Sequence, residues 1–410
     1  MDKMQGSWGM STKFRLLNLT AADFIVRTAY QMGKTPLLPI FAAGLGANAT
    51  YLGFIVSAST LTGMLLKPLF GILSDRWGRW IFFFIGTLLF TIVPFFYLWI
   101  ENAKQLFILR ILHGTATAIY GPVTVAWVIE QGRGEGRKDN HCAERLGWFG
   151  IARSAGYMLG PVLAAALLTV FKPEVVFTAI SFFSSTAFLP VILIKNHSFF
   201  VRTSKSWRLQ FKGAIRSGFQ TAELWVAGLL EFVFYIGLYS AKTFLPLYAL
   251  QQNISVLWVG LFFMTQELTH ILVRPFGGRL SDRKGYLPVI SGGMLIAAFS
   301  LGLMPFATSP QPLLLLAVGF GLAQALIFPS IIALYAQKID SRHTGAGAGM
   351  IGSLKNAGKI AGPIIGGLII DWHDLSWMLW IMAALIAVWS LGILLNTYSR
   401  KFFIIQWQSR

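Results

Sequence analysis

The chain has 410 residues, of which 55% are hydrophobic and 12% are charged, and its mean hydropathy is +0.63. A water-soluble domain carries roughly 25% charged residues, so this composition excludes an ordinary soluble protein and indicates a surface that meets lipid, where charges are costly. The net charge of +18 does not indicate nucleic-acid binding, because the basic residues are not gathered on a polar domain.

Twelve apolar stretches have the length of about twenty residues that is needed to cross a bilayer. In chain order, the predicted spans are 16–41, 51–73, 80–100, 104–129, 145–170, 175–194, 223–250, 255–278, 286–307, 311–336, 345–370 and 375–397. An even number of spans places both termini on one side. The loops of the opposite side hold only two basic residues, Lys104 and Lys172. Because basic loops stay in the cytoplasm, we predict a multi-pass protein of a bacterial inner membrane with both termini cytoplasmic.

The two halves of the chain repeat each other. The sequence KPLFGILSDRWG at 67–78 aligns with RPFGGRLSDRKG at 274–285, an offset of 207 residues (274 − 67). Farther along the chain the offset becomes 202, where the Gly-Pro pair at 160–161 aligns with the pair at 362–363. Agreement in order across several spans indicates a duplicated unit rather than a chance match.

The duplication predicts an all-α integral membrane fold with twelve transmembrane helices in two pseudo-symmetric six-helix bundles. The predicted domains are an N-terminal bundle at 1–194, a basic cytoplasmic linker at 195–222 and a C-terminal bundle at 223–410. Repeated halves are the architecture of secondary transporters, which bind substrate near the membrane midplane between the repeats. A seven-helix receptor does not provide this repeat.

The turn after the second span resembles a signature of the major facilitator superfamily. It reads GILSDRWGR from Gly71 to Arg79, close to the family pattern GxLxDRxGR, and the resemblance covers essentially the whole chain. A tight turn needs glycine, and the charges beside it suit a lock that forms in one conformation and breaks in another. A plain turn with solvated charges is the alternative. The predicted conformational gate consists of Gly71, Asp75, Arg76, Gly78, Arg79, Asp282 and Arg283.

Two further elements resemble the twelve-helix drug:proton antiporters of this family. RILHG at 110–114 is similar to their RxxQG element, with His113 in place of glutamine. A pattern of glycines ending in Gly-Pro occurs in the fifth and eleventh spans and resembles the antiporter motif, although the fifth span continues with Ala164-Ala165 instead of two glycines. Such glycines let helices approach closely; generic packing without a transport direction is the alternative. The predicted helix-packing motif is Gly156, Gly160, Pro161, Gly358, Gly362 and Pro363.

Ionisable residues inside membrane spans mark functional sites by default. Asp23, Arg27 and Lys34 share one face of the first span, where Asp23 and Arg27 have the spacing of an intrahelical ion pair that is either functional or merely structural. The predicted proton-coupling residues are Glu267, Glu231, Asp23 and His270, with Glu267 as the first choice. The predicted substrate cavity consists of Arg27, Tyr30, Gln31, Lys34, Arg110, His113, Arg153, Tyr157, Tyr235, Lys242, Arg274, Gln324, Lys355 and Asn356.

Other classes of protein lack support in the sequence. The single cysteine, Cys142, forms no intramolecular disulfide, and no Cys/His cluster has the spacing of metal ligands. There is no GxxxxGK(S/T) phosphate loop and no catalytic constellation. We therefore predict neither an enzyme nor an ATP-driven pump, no metal, and no cofactor apart from protons as the coupling ion.

Taken together, these features predict a secondary active transporter that moves a small organic solute by alternating access. The leading hypothesis is efflux coupled to protons. The exporter is then either of the multidrug type or one that exports an organic anion or zwitterion. A proton symporter importing an organic anion is the alternative, and a non-transporting membrane receptor is a distant one. The surplus of cations in the spans favours an amphiphilic or an anionic or zwitterionic substrate. The expected partners are this substrate and the lipid bilayer, with no nucleic acid, and the protein is predicted to be a monomer.

Overall fold

The structure, a computed structural model, describes residues 10–130, 142–194, 222–336 and 344–408, and this part of the chain contains helices and no strand. In chain order the helices are α1 (Met10–Met32), α2 (Leu37–Gly44), α3 (Ala49–Trp77), α4 (Arg79–Phe95), α5 (Ala103–Glu130), α6 (Cys142–Leu168), α7 (Pro173–Ser185), α8 (Phe188–Leu193), α9 (Ala222–Gln251), α10 (Val256–Lys284), α11 (Tyr286–Leu303), α12 (Pro310–Ala336), α13 (Thr344–Trp372) and α14 (Leu375–Gln408). Short 3-10 helices follow α4 at Phe96–Trp99 and α11 at Met304–Phe306. The predicted linker at 195–222 lies outside the described residues, apart from Ala222.

The helices have the length and surface of membrane-spanning segments. Within the described ranges, ten helical segments are long and apolar enough to cross a bilayer. Large apolar side chains such as Leu65, Ile108, Phe299 and Leu395 are exposed on the outside of the bundle, where lipid rather than water suits them. The chain is therefore a multi-pass membrane protein, while the number of twelve spans stays a prediction.

The first predicted span, 16–41, is not one continuous helix, which corrects the expectation that one helix carries the face from Asp23 to Lys34. Helix α1 ends at Met32 and α2 begins at Leu37. Pro36 separates them, because proline donates no backbone hydrogen bond and disfavours helical geometry in the residue before it. The break leaves Lys34 in a turn between two helices.

The two repeated turns have the same backbone conformation. Gly78 and Gly285 have φ angles of 95° and 92°, which side-chain-bearing residues rarely adopt. Each glycine N–H donates to a serine carbonyl four residues earlier, at Ser74 and Ser281. The duplicated sequence thus ends α3 and α10 in the same way and starts the next helix after one residue.

Helix pairs within each half pack through the glycines of the predicted packing motif. A Cβ atom added to Gly160 would lie 2.5 Å from the Cβ of Gln31, and one added to Gly358 would lie 2.5 Å from the carbonyl oxygen of Phe232. These contacts bring α6 onto α1 in the first half and α13 onto α9 in the second. The other motif glycines, Gly156 and Gly362, extend the same two contacts by one turn.

The main contacts between the halves are made by two other helix pairs, α3 with α13 and α6 with α10. A Cβ atom on Gly53 would lie 2.2 Å from the carbonyl oxygen of Pro363, and one on Gly260 would lie 3.0 Å from that of Pro161. Gly53 and Gly260 are equivalent in the repeat, as are Pro161 and Pro363. We call the end of the bundle where α3 and α10 begin the outer end, and the opposite end the inner end. The halves are therefore in contact at the outer end, through two symmetry-related glycine-on-proline contacts.

One carboxylate bridges the halves at the outer end. Asp371, near the end of α13 and just beyond the predicted span 345–370, accepts hydrogen bonds from the backbone N–H groups of Ala49 and Thr50, each at 3.0 Å. These groups start α3, where the helix dipole favours negative charge. Burial by itself would raise the pKa of the Asp371 carboxyl, but hydrogen bonds from Thr50 and Ala49 lower it below its usual value. The contact is thus fully present when the pH is above the ordinary aspartate pKa, and it persists at neutral pH. It is lost only as the pH falls through the lowered pKa of Asp371.

Replacing Asp371 by alanine is expected to favour opening of the outer end. Loss of a helix-capping carboxylate costs about 1 kcal/mol, which corresponds to about a fivefold change in the equilibrium between closed and open forms. The measurement is the rate at which a membrane-impermeant maleimide, added outside, labels a Val56→Cys reporter in a Cys142→Ser background. Asp374→Asn is the matched control, because Asp374 lies nearby but caps its own helix at Trp377. Equal labelling in Asp371→Ala and the parent would contradict a bridging role.

Candidate substrate cavity between the halves

Two adjoining cavities lie between the halves, on the inner side of the outer contacts. The outer cavity contains about 580 Å³ of space between atoms and the inner cavity about 1000 Å³, and both figures include the open space at their mouths. Both are lined by Gln31, Lys34, Tyr157 and Tyr239, which form the boundary between them. Because the helices touch beyond the outer cavity, the two cavities are closed toward the outer end.

The predicted polar face of the first span lies on the cavity wall. Helical spacing places its side chains on one stripe, and packing of α1 against α6 turns that stripe toward the space between the halves. Eight of the predicted cavity residues line one or both cavities: Arg27, Tyr30, Gln31, Lys34, Arg153, Tyr157, Lys242 and Asn356. Glu267, predicted as a proton carrier, lines the outer cavity beside Lys242.

Asp23 joins three helices behind the inner cavity. It is 1% exposed and accepts hydrogen bonds from Arg153 at 3.0 Å to each carboxylate oxygen. The Nε atom of Arg27 lies 3.5 Å from the same carboxylate, and Arg153 also donates to Thr124 at 3.0 Å. Asp23 therefore pairs with two guanidinium groups, which leaves one net positive charge, and through Arg153 it ties α1, α5 and α6 together.

Three ammonium groups surround one aromatic ring at the boundary of the cavities. The Nζ atoms of Lys34, Lys242 and Lys359 lie 4.9, 5.9 and 5.4 Å from the ring centroid of Tyr239. We call these four residues the Tyr239 cluster. Within the described part of the chain, none of the three lysines forms an ion pair. A cation near an aromatic ring face is stabilised by about 0.5–2 kcal/mol, less than a buried counter-charge would provide.

The inner cavity is also lined by three residues that were not among the predicted site residues: Tyr239, Lys359 and Lys67. A signal for two of them exists in the sequence. Tyr239 follows Tyr235 by four residues, and Lys359 follows Lys355 by four, so each lies on the same helix face as a residue that was predicted.

A second group, Glu231 and its neighbours, lies deeper in the second half. Glu231 is 5% exposed, and its Oε1 atom lies 3.7 Å from the Nζ atom of Lys355. Its Oε2 atom is buried without a hydrogen-bond partner. Lys355 also lies 4.9 Å from the ring centroid of Tyr235. Neither cavity is lined by this group, but the unpartnered oxygen is a place where a proton would be accommodated.

Glu267 has a histidine as its close partner. Its Oε1 atom lies 3.4 Å from Nδ1 of His270, and His270 is 8% exposed. Arg274 lies one further turn along the same helix, toward the inner end. Glu267 is thus a carboxylate on the cavity wall with a titratable group beside it, an arrangement that suits proton exchange.

Arg110 and His113 lie one layer behind the cavity wall. Arg110 is fully buried and donates to Ser59 at 2.5 Å and to Tyr97 at 3.4 Å. Nδ1 of His113 lies 3.3 Å from the Tyr97 hydroxyl, and its ring packs edge-on against Tyr30 at 5.6 Å. These residues support Tyr30 from behind. The remaining predicted cavity residue, Gln324, is buried, and its Nε2 atom has no hydrogen-bond partner.

Among the described residues, the predicted gate forms ion pairs at the first turn, whereas at the second turn the structure gives a hydrogen bond within one helix. Arg79 pairs with Asp75, lies 2.8 Å from the Oε1 atom of Glu130 and donates to Ser74 at 2.7 Å, which ties together the inner ends of α3, α4 and α5. At the second turn, Asp282 is exposed and accepts from Tyr286 at 3.4 Å. At the first turn Arg76 is exposed and a Cβ on Gly71 would meet nothing within 4 Å, and at the second turn Arg283 is exposed.

The chain is similar to known proteins both in sequence and in fold. The family model described as Major Facilitator Superfamily matches residues 22–265 and 227–402. The uncharacterized MFS-type transporter YuxJ of Bacillus subtilis (strain 168) is 25% identical over 374 residues, which cover 89% of this chain and 93% of the relative. Multidrug resistance protein 1 of the same organism is 24% identical over 345 residues, or 82% and 85% of the two chains. The crystal structure of the nucleoside transporter NupG matches with a TM-score of 0.76 at 15% identity, over 93% of this chain and 98% of that one.

Proposed function

Because this chain belongs to the Major Facilitator Superfamily, a family of membrane transporters, we propose that it is a secondary active transporter that exports a small anionic or zwitterionic organic solute in exchange for protons. The two halves rock about the central cavities and expose them to each side in turn. The name of the relative Multidrug resistance protein 1 supports the direction of export. The protein is proposed to act as a monomer, with protons as its coupling ion.

One observation carries the proposed substrate class. The lining of the inner cavity includes five cations, Arg27, Lys34, Lys67, Arg153 and Lys359, and no carboxylate among the lining residues described. Charges interact more strongly in such a partly enclosed site than in water. The cavity therefore attracts negative groups and repels a simple lipophilic cation.

Exchange with protons needs a carboxylate that the solute and the proton compete for. Glu267 meets this condition, because it lines the outer cavity with Lys34 and Lys242. The ammonium group of a zwitterion can replace a proton on Glu267, while its anionic group lies against the lysines. Binding of a zwitterion then releases a proton, as antiport requires.

The same arrangement favours a second candidate, proton symport of an organic anion. A solute with only negative charge would repel the ionised form of Glu267 and so promote its protonation. Anion and proton would then bind together, and by thermodynamic linkage each would raise the affinity for the other. The charge of the solute next to Glu267 thus decides between exchange and cotransport.

Proteoliposomes with a pH-sensitive dye in the lumen separate the two candidates. A zwitterionic aromatic amino acid that enters by antiport drives protons out and makes the lumen alkaline, whereas an aromatic carboxylate that enters by symport makes it acidic. Transport without proton movement would remove the coupling from the proposal. Transport of tetraphenylphosphonium alone would contradict the proposed substrate class.

Replacing Glu267 by glutamine is expected to uncouple transport from the proton gradient. The amide keeps the size of the side chain but takes up no proton, so gradient-driven flux should fall to the level without a gradient, while solute-for-solute exchange continues. Glu101→Gln, at an exposed carboxylate, is the matched control and should behave as the parent. If gradient-driven flux persists in Glu267→Gln and disappears in Glu231→Gln, the proton carrier is Glu231.

A further inference from the structure

We propose that the Tyr239 cluster is a subsite for a doubly negative group of the transported molecule, either a phosphate monoester or a pair of adjacent carboxylates. This inference rests on the proposed function and narrows its substrate class. It concerns the anionic part of the solute alone, and it is independent of whether the solute also carries an ammonium group.

The cluster is the place in the described cavity walls where positive charge is least compensated. Of the other cations in the inner cavity, Arg27 and Arg153 share Asp23, and Lys67 is a single charge, whereas the cluster brings three ammonium groups together. Behind the wall, Lys355 lies 3.7 Å from Glu231. The Nζ atoms of the three cluster lysines lie within 6 Å of aromatic rings and, among the described residues, form no ion pair. Three half-buried ammonium groups around one ring repel one another.

A single negative charge leaves most of this repulsion in place. Glu267 is the one carboxylate in the described lining of the adjoining outer cavity, and its Oε1 atom faces His270 at 3.4 Å. Even if Glu267 balances one lysine, two positive charges remain. A group with two negative charges matches them, and its several oxygen atoms can accept from more than one ammonium group at once.

The subsite also bridges the two halves of the protein. Lys34 belongs to the first half, whereas Lys242 and Lys359 stand on α9 and α13 of the second. The ammonium of Lys34 lies 4.9 Å from the ring centroid of Tyr239, across the boundary between the halves. A bound dianion replaces this contact with charge-assisted hydrogen bonds to both halves and so stabilises conformations in which they approach. Tyr157 and Phe263 complete the wall and provide apolar surface for the remainder of the solute.

The test measures binding of four aromatic probes to the purified full-length protein by calorimetry: phenyl phosphate, phthalate, benzoate and tetraphenylphosphonium. We expect phenyl phosphate or phthalate to bind at least about tenfold more tightly than benzoate, since one additional ion-pair contact of about 1.4 kcal/mol corresponds to a factor of ten. Preference for phenyl phosphate identifies a phosphate group, and preference for phthalate identifies paired carboxylates.

Variants locate the effect within the protein. Lys34→Gln, Lys242→Gln and Lys359→Gln are each expected to reduce the advantage of the dianion over benzoate, whereas Lys104→Gln, at an exposed lysine of the outer end, should leave it unchanged. Lys34→Arg should restore most of the advantage. The ligand-free melting temperature shows that each variant is folded, and we expect it to stay or rise, because one repelling charge is removed.

Two outcomes overturn the inference. If neither dianion binds, or neither binds more tightly than benzoate, the subsite does not select a doubly negative group. Binding of benzoate in that case would still support the proposed transport of an anion. If tetraphenylphosphonium is the only probe that binds, both this inference and the proposed substrate class are wrong.

Discussion

Asp23→Asn is expected to destabilise the protein by about 3–5 kcal/mol, the usual effect of removing one partner from a buried ion pair. Asp23 is 1% exposed, and the side chains of its partners Arg27 and Arg153 are 11% and 22% exposed. The amide has the same shape but no charge, so two guanidinium groups would remain close together without an anion. The measurement is the unfolding transition of the purified protein in detergent.

A second substitution separates charge balance from other effects of Asp23→Asn. In the double variant with Arg153→Gln, one excess charge is removed, so the double variant should be more stable than the sum of the two single changes predicts. Strict additivity would argue against the ion pair as the source of the stability. Unchanged stability with loss of gradient-driven transport in Asp23→Asn would instead identify Asp23 as a proton carrier.

The helices and their duplication were predictable because they depend on local or strictly periodic features. Hydropathy marks a span from its own residues, and the repeat aligns Gly53 with Gly260 and Pro161 with Pro363 without any knowledge of packing. The interruption of the first span was not predicted, because counting apolar residues gave too little weight to Pro36. The proline signal was present in the sequence, and it breaks the helix for a local reason.

The site was predictable only where one helix defines it. The face formed by Arg27, Tyr30 and Gln31 follows from helical spacing, and it lines the cavity. The rotation of every other helix depends on its neighbours, so the sequence did not indicate that Tyr239 faces Lys34, or that Arg110 lies behind the wall. In the same way, spacing suggests Arg27 as the partner of Asp23, whereas the closer partner, Arg153, is 130 residues away.

Gly53→Ala is expected to abolish transport by preventing closure of the outer end. The added Cβ would lie 2.2 Å from the carbonyl oxygen of Pro363 and 2.9 Å from the Cα atom of Ile364. These are backbone atoms, so no side chain can rotate away, and α3 must separate from α13. Overpacking of this kind costs about 1–3 kcal/mol, a shift of about 5- to 150-fold against the closed form. Gly260→Ala, at the equivalent contact, should have a similar but smaller effect.

The measurements for Gly53→Ala are solute flux in proteoliposomes and maleimide labelling of a Thr60→Cys reporter in the Cys142→Ser background. Thr60 lines the inner cavity, so its labelling from the inner side reports on access to that cavity. Under the proposed alternating access, a variant that cannot close the outer end should spend more time with the inner end closed, and the reporter should react more slowly. Gly44→Ala is the matched control, since its Cβ would meet no atom within 4 Å. Normal flux in Gly53→Ala would mean that the contact between Gly53 and Pro363 is not required for transport, and that the halves close the outer end elsewhere.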